Sequence, residues 1–105
     1  MITLNKIYAT DCEVCASLKD RDAALIKDRE DYDFAEHDLE VFGAQPSRLR
    51  DYVVNYHVDE EGMVELPVYA ITENGRIQAS TVAKDIEDVR ALVTAWDQYK
   101  QQAAG

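Results

Sequence analysis

The chain has 105 residues, 47% of them hydrophobic and 30% charged, with a formal net charge of −10. That length suits one compact domain over residues 1–105, since each domain must bury its own core to offset the entropy lost on folding. No apolar run approaches the roughly 20 residues that cross a bilayer, and the acidity repels nucleic-acid backbones and anionic membranes, so no nucleic acid and no membrane is expected as partner and a basic docking surface suits the charge.

Met1 leads into a strand-like segment with no basic leader or apolar signal core, which makes the cytoplasm the expected address. From Ile2 to Ala9 apolar and polar residues alternate and then run nearly continuous, as in a strand whose end is buried on both faces. Thr10 and Asp11 supply a polar turn and cap, and Val14, Leu18, Leu25 and Ile26 then predict a helix from Glu13 to Arg29. Asp31 to Leu39, with Tyr32, Phe34 and Leu39 among acidic residues, reads as the second strand, and Gly43 breaks the chain beyond it. Pro46 stands as the first-turn proline of a second helix, whose stripe of Leu49, Tyr52, Val53 and Tyr56 is expected to pack into the core.

The segment Asp59–Gly62 is a charged loop, and Leu66 to Ile71 is a short strand entered through Pro67. Asn74-Gly75 predicts a type I′ hairpin turn with an antiparallel return from Arg76 to Val82. Asp85 caps the final helix, which carries the stripe Ile86, Val89, Leu92, Val93, Trp96 and Tyr99, and the tail from Gln101 to Gly105 is expected to fray. The order βαβαββα implies an α/β fold with a four-stranded mixed sheet flanked by helices. A right-handed crossover then places the loop before the first helix at the carboxyl end of the first strand, where such sheets usually carry their chemistry.

That loop holds Cys12 and Cys15, three residues apart at the start of a helix and on one side of it. Unpaired amide groups at the helix start favour a thiolate on Cys12, whereas Cys15 lies deeper and shielded. The catalytic pair is therefore Cys12 as nucleophile and Cys15 as resolver, opening a substrate disulfide through a mixed disulfide. A zinc site would need two further ligands, and the spacing of His37 and His57, the only histidines, matches no zinc-finger pattern. Tyr8 ends the first strand close to the cysteine loop, where it either covers the disulfide or fills the core.

The stretches Ile-Tyr-Ala-Thr-Asp-Cys-Glu-Val-Cys, Arg-Glu-Asp-Tyr-Asp-Phe-Ala-Glu-His-Asp-Leu and Glu-Leu-Pro-Val-Tyr resemble glutaredoxins of the thioredoxin superfamily, over nearly the whole chain. The resemblance implies a thioredoxin fold, a cis-proline at Pro67 facing the reactive sulfur, and Leu66 as a strand-like contact to bound peptide, so Thr10, Leu66 and Pro67 are the substrate-binding candidates. It departs from the family at Gln78-Ala79-Ser80-Thr81, where a Gly-Gly pair and an acidic residue help hold glutathione, and at Ala9-Thr10-Asp11, where a basic residue is common. Asp11 and Glu13 also flank the nucleophile and oppose the helix's support for its thiolate, so Cys12 is expected to be mildly acidified and the pair reducing.

The expected function is a monomeric dithiol–disulfide oxidoreductase that carries electrons to protein or glutathione mixed disulfides. It holds no tightly bound cofactor beyond the redox-active Cys12–Cys15 pair, and no metal. Its electron donor is glutathione or a thioredoxin reductase-like flavoenzyme. The alternative is a thioredoxin-fold module that binds a peptide or protein beside Pro67 without redox turnover.

Overall fold

A computed structural model describes residues 1–104. Four strands, β1 (Ile2–Tyr8), β2 (Tyr32–Asp38), β3 (Val68–Glu73) and β4 (Arg76–Val82), form one sheet in the order β2-β1-β3-β4. β1 pairs parallel with β2 and antiparallel with β3, and β3 pairs antiparallel with β4, so the expected four-stranded mixed sheet is present. The hairpin turn at Asn74 and Gly75 has positive φ at both residues (54° and 81°), which an Asn-Gly pair tolerates. The β3–β4 register shifts between Ile71 and Thr72, leaving Gln78 as the extra residue of a bulge.

Strand alternation divides the sheet into two faces. Ile2, Leu4 and Lys6 of β1 share one face with Tyr69 and Ile71 of β3, while Thr3, Asn5 and Ile7 share the other with Val68 and Ala70. The first face carries the main core, in which Ile2, Leu4, Tyr69 and Ile71 meet Leu18, Ile26 and the helix residues Val89, Leu92, Val93 and Trp96. Each such side chain contributes about 1.5–3 kcal/mol when fully buried. The second face carries a smaller cluster of Ile7, Val53 and Val68, edged by Leu39, Phe42, Leu49 and Leu66.

The helix expected from Glu13 to Arg29 is two short pieces, α1 (Glu13–Ser17) and α2 (Arg21–Ala24), separated at Asp20, whose φ is 66°. The interruption has a tertiary cause. Asp22 turns into the protein, 1% exposed, where it pairs with Lys6; an unbroken solvent-facing polar run would have left it outside. A short helix that the pattern did not predict, α3 (Leu39–Phe42), is capped by Asp38, whose carboxylate accepts the Glu40 N–H at 3.0 Å.

Helix α4 (Arg48–Tyr56) begins two residues after Pro46, because the Ser47 hydroxyl accepts the Arg50 N–H at 2.9 Å and makes Ser47 the cap. Of its stripe, Val53 is the residue that seals against the sheet; Tyr56, in the last position of the helix, is 72% exposed and leans on the Tyr52 ring 4.7 Å away. Helix α5 (Ile86–Ala104) is capped as expected, with the Asp85 carboxylate accepting the Glu87 N–H at 2.9 Å. Tyr99 stays mostly exposed and stacks on Trp96 instead of entering the core. The tail expected to fray from Gln101 is helical through Ala104, since Lys100 is tied to Glu73 at 2.8 Å and Gln and Ala are good helix formers; Gly105 lies outside the described residues.

Candidate functional site

At the carboxyl end of β1, Tyr8 passes through Ala9, Thr10 and Asp11 to Cys12, the N-cap of α1. Cys12 and Cys15 form a disulfide with Cα atoms 5.2 Å apart. The Cys12 Sγ accepts the Cys15 N–H at 3.1 Å, a bond that would also support negative charge on that sulfur once the disulfide opens. Burial separates the two: Cys12 is partly exposed, whereas Cys15 is 3% exposed and belongs to the core side of the helix. Asp11 and Glu13 are both exposed beside Cys12, and α1 spans five residues, so the helix lends less positive potential than the longer one expected from the sequence would.

A cavity of about 260 Å³ opens against the disulfide, lined by Cys12, Cys15, Tyr8, Thr10, Lys6, Lys19 and Glu36. It gives Tyr8 its place: partly exposed on the cavity wall beside the disulfide and outside the buried core. Thr10 is exposed at the same opening.

The Leu66–Pro67 peptide bond is cis, and Pro67 directly precedes the Val68–Ile7 pair of the sheet. That register brings Pro67 to the sheet end from which Tyr8 leads into the cysteine loop. The Pro67 carbonyl accepts the Ala83 N–H at 3.0 Å, which fixes the segment against the chain leaving β4. The Leu66 side chain packs on the Ile7–Val53–Val68 cluster, while among the described residues its backbone N–H and C=O have no hydrogen-bond partner.

The histidines stand apart from the disulfide. His37 shares a hydrogen bond with the Asn5 Oδ1 at 3.1 Å and His57 with the Ser80 Oγ at 2.7 Å, and burial holds the pKa of each below its ordinary value. Neither lines the cavity at the cysteines. Among the described residues no three of His, Cys, Asp and Glu gather as a metal site requires, and no helix is long and apolar enough to cross a membrane.

What sequence reasoning missed lies under Cys15. Lys6 Nζ donates to the Cys15 carbonyl at 3.1 Å and pairs with Asp22 Oδ2 at 2.7 Å; the Tyr69 hydroxyl donates to the same carboxylate oxygen at 2.6 Å. Burial, and then the bond to Asp22, push the Tyr69 hydroxyl's pKa far above its ordinary value, so it stays a donor. The Lys6 bond also explains the short helix, for Lys19 N–H turns back to the Ala16 carbonyl at 3.2 Å and Lys6 supplies the Cys15 carbonyl's hydrogen. The signal was present in β1: Lys6 stands two residues beyond Leu4, on the buried face.

No family model matches the chain, and no curated protein matches it. Solved structures do. A chain from the crystal structure of ferredoxin:thioredoxin reductase in complex with thioredoxin f2 aligns at TM-score 0.65 and 16% identity, over 91% of this chain and 77% of that one. The germline-specific thioredoxin Deadhead of Drosophila melanogaster aligns at TM-score 0.65 and 17% identity, over 87% and 76% of the two chains. Fasciola hepatica thioredoxin gives TM-score 0.61 and 15% identity over 86% and 75%. The fold is therefore that of the thioredoxins, with a Cys-x-x-Cys disulfide at the start of its first helix.

Proposed function

We propose that this chain is a dithiol–disulfide oxidoreductase of the glutaredoxin and thioredoxin type, carrying electrons to protein disulfides through Cys12 and Cys15. The observation that carries the reading is the unequal burial of two bonded sulfurs at a helix start: Cys12 is open to a partner and Cys15 is shielded behind it. In the dithiol form the Cys12 thiolate attacks one sulfur of a substrate disulfide and expels the other as a thiolate. Cys15 then attacks the Cys12 sulfur of the mixed disulfide, the second substrate thiolate leaves and takes up a proton, and two electrons have passed to the substrate. Thr10, Leu66 and Pro67 form the substrate contact; the unpartnered Leu66 backbone supports pairing with an extended peptide.

The short α1 and the exposed carboxylates of Asp11 and Glu13 support a mild, reducing pair, with a potential nearer about −270 mV than about −120 mV. The donor is a small thiol such as glutathione or a thioredoxin reductase-like flavoenzyme, and the protein acts as a cytoplasmic monomer. The test is reduction of insulin disulfides by the wild-type dithiol form and by the Cys12→Ser/Cys15→Ser variant. Activity in the wild type and none in the variant is expected; equal activity would overturn the reading in favour of a binding module. Titrating the disulfide form with reduced glutathione, and separately with NADPH and a thioredoxin reductase, separates the glutaredoxin type from the thioredoxin type.

A further inference from the structure

Lys6 and Asp22 are the buried charged side chains of the described residues, 2% and 1% exposed, and the redox steps above leave both unused. Burying two ions is costly unless the site uses or fully satisfies them. Asp22 is held from three sides: its Oδ1 accepts the Ala23 N–H at 2.7 Å, and its Oδ2 accepts from Tyr69 and Lys6. An ammonium has three hydrogens. One goes to Asp22 and one to the Cys15 carbonyl, and Lys6 also lines the cavity that both cysteines share. The pair is thus oriented, with its positive end against the turn that carries Cys15 and its negative end braced by Tyr69.

We propose that Lys6 is a positioning residue for the resolving step: its ammonium fixes the Cys15 turn and favours the Cys15 thiolate that attacks the mixed disulfide. The role rests on the redox reading above. Starting from the dithiol form, Cys12 bonded to substrate sulfur leaves Cys15 as a thiol. Its proton passes to solvent, the thiolate attacks the Cys12 Sγ, the Cys12–substrate S–S bond breaks, and the departing substrate sulfur takes the electron pair and a proton. By Coulomb's law a unit positive charge at about 6 Å and an effective dielectric of about 40 favours a thiolate about tenfold, and the Lys6 bond to the Cys15 carbonyl sets its ammonium in that neighbourhood. The Asp22 carboxylate, which bonds Lys6 and not the Cys15 turn, subtracts from this. Tyr69 from β3 faces the pair as a neutral donor, and Glu36 of β2 and Lys19 beyond α1 stand exposed at the cavity mouth with opposite charges.

The experiment follows the reduced protein reacting with excess dithiobis(nitrobenzoate) across pH: the first release of nitrothiobenzoate reports Cys12 attack, and the second reports resolution by Cys15. Asp22→Asn keeps the ammonium and removes the opposing charge, so the second phase speeds up and its pH midpoint falls. Lys6→Met/Asp22→Asn removes the ammonium from that background, so the midpoint rises by about one pH unit relative to Asp22→Asn. The first phase shifts less than the second in both. A purely structural role would slow both variants with no shift of midpoint, and that result overturns the proposal. Should Asp22→Asn fail to fold by circular dichroism, Lys6→Met/Asp22→Leu, an apolar replacement of the pair, is compared with wild type and must raise the midpoint. A wild type that shows no second phase sinks the redox reading itself, whereas two phases indifferent to every variant sink the Lys6 role alone.

Discussion

The two faces of the sheet are built to different standards. Under α1, α2 and α5 lies a continuous core from Ile2 to Trp96 that also encloses the Lys6–Asp22 pair. Under α3 and α4 the apolar cluster is Ile7, Val53 and Val68, with the small Ala70 also buried beside them, and the middle of that face is polar, with Asn5 donating to the Ala70 carbonyl at 3.1 Å and to Thr72 Oγ1 at 3.1 Å. Cys15 sits on the dense side, and Leu66, before the cis-proline, rests on the thin one. Under the proposed function the division shows where each demand would be met: the dense face fixes the shielded sulfur, and the thin face carries the segment proposed to receive the substrate.

The largest effect should come from breaking the dense face at its charged point. Lys6→Met alone leaves the Asp22 carboxylate buried without its cation, and urea unfolding should show a loss of about 3–5 kcal/mol. A loss under about 1 kcal/mol would mean that Asp22 escapes to solvent and the face is looser than described. Next come like-for-like truncations of two fully buried isoleucines, one on each face. Ile71→Ala should cost about 3–5 kcal/mol, and Ile7→Ala about 2–3 kcal/mol because the sparser surroundings collapse into the gap more readily. Equal losses would erase the contrast.

That contrast was only half legible in the sequence. Apolar alternation in Ile2–Ala9, the Tyr32, Phe34 and Leu39 pattern, the Asn74-Gly75 turn and the Asp85 cap placed all four strands and the last helix, because each signal is local and depends on a few neighbouring residues. The Cys12–Cys15 pair was legible from its three-residue spacing, and the cis bond before Pro67 from the family resemblance. The break at Asp20 was not, since Asp20-Arg21-Asp22 reads as a solvated helix face until Asp22 is known to meet Lys6, sixteen positions earlier (22 − 6) in the chain. A polar residue's burial is a tertiary fact, fixed by its partner and not by its neighbours. Tyr56 failed for the converse reason, as its helical phase suited the core but it falls where α4 ends.

A smaller effect separates the faces by pH. His37 and His57, both tied to residues of the thin face, are held below their ordinary value of 6.5, chiefly by burial. The unfolded chain therefore binds protons more readily than the folded one as pH falls below 6.5, and stability declines there. Asp97, beside the dense face, has its carboxyl held below its ordinary 3.8, first by the hydrogen bond from Arg29. Its contribution is complete above that value and is lost only as pH falls through the lower folded one. Amide hydrogen exchange near pH 5 should thus quicken first in α4 and β4, with α5 following only in stronger acid. The reverse order would contradict this assignment.

The central claim, a division of labour between an open Cys12 and a shielded Cys15, is tested most directly by trapping. With reduced Cys15→Ser and insulin as disulfide substrate, a mixed disulfide through Cys12 should accumulate, stable to gel analysis without reductant and released by it. Cys12→Ser under the same conditions should trap little or nothing. Equal trapping by both variants, or trapping by Cys12→Ser alone, would contradict the account.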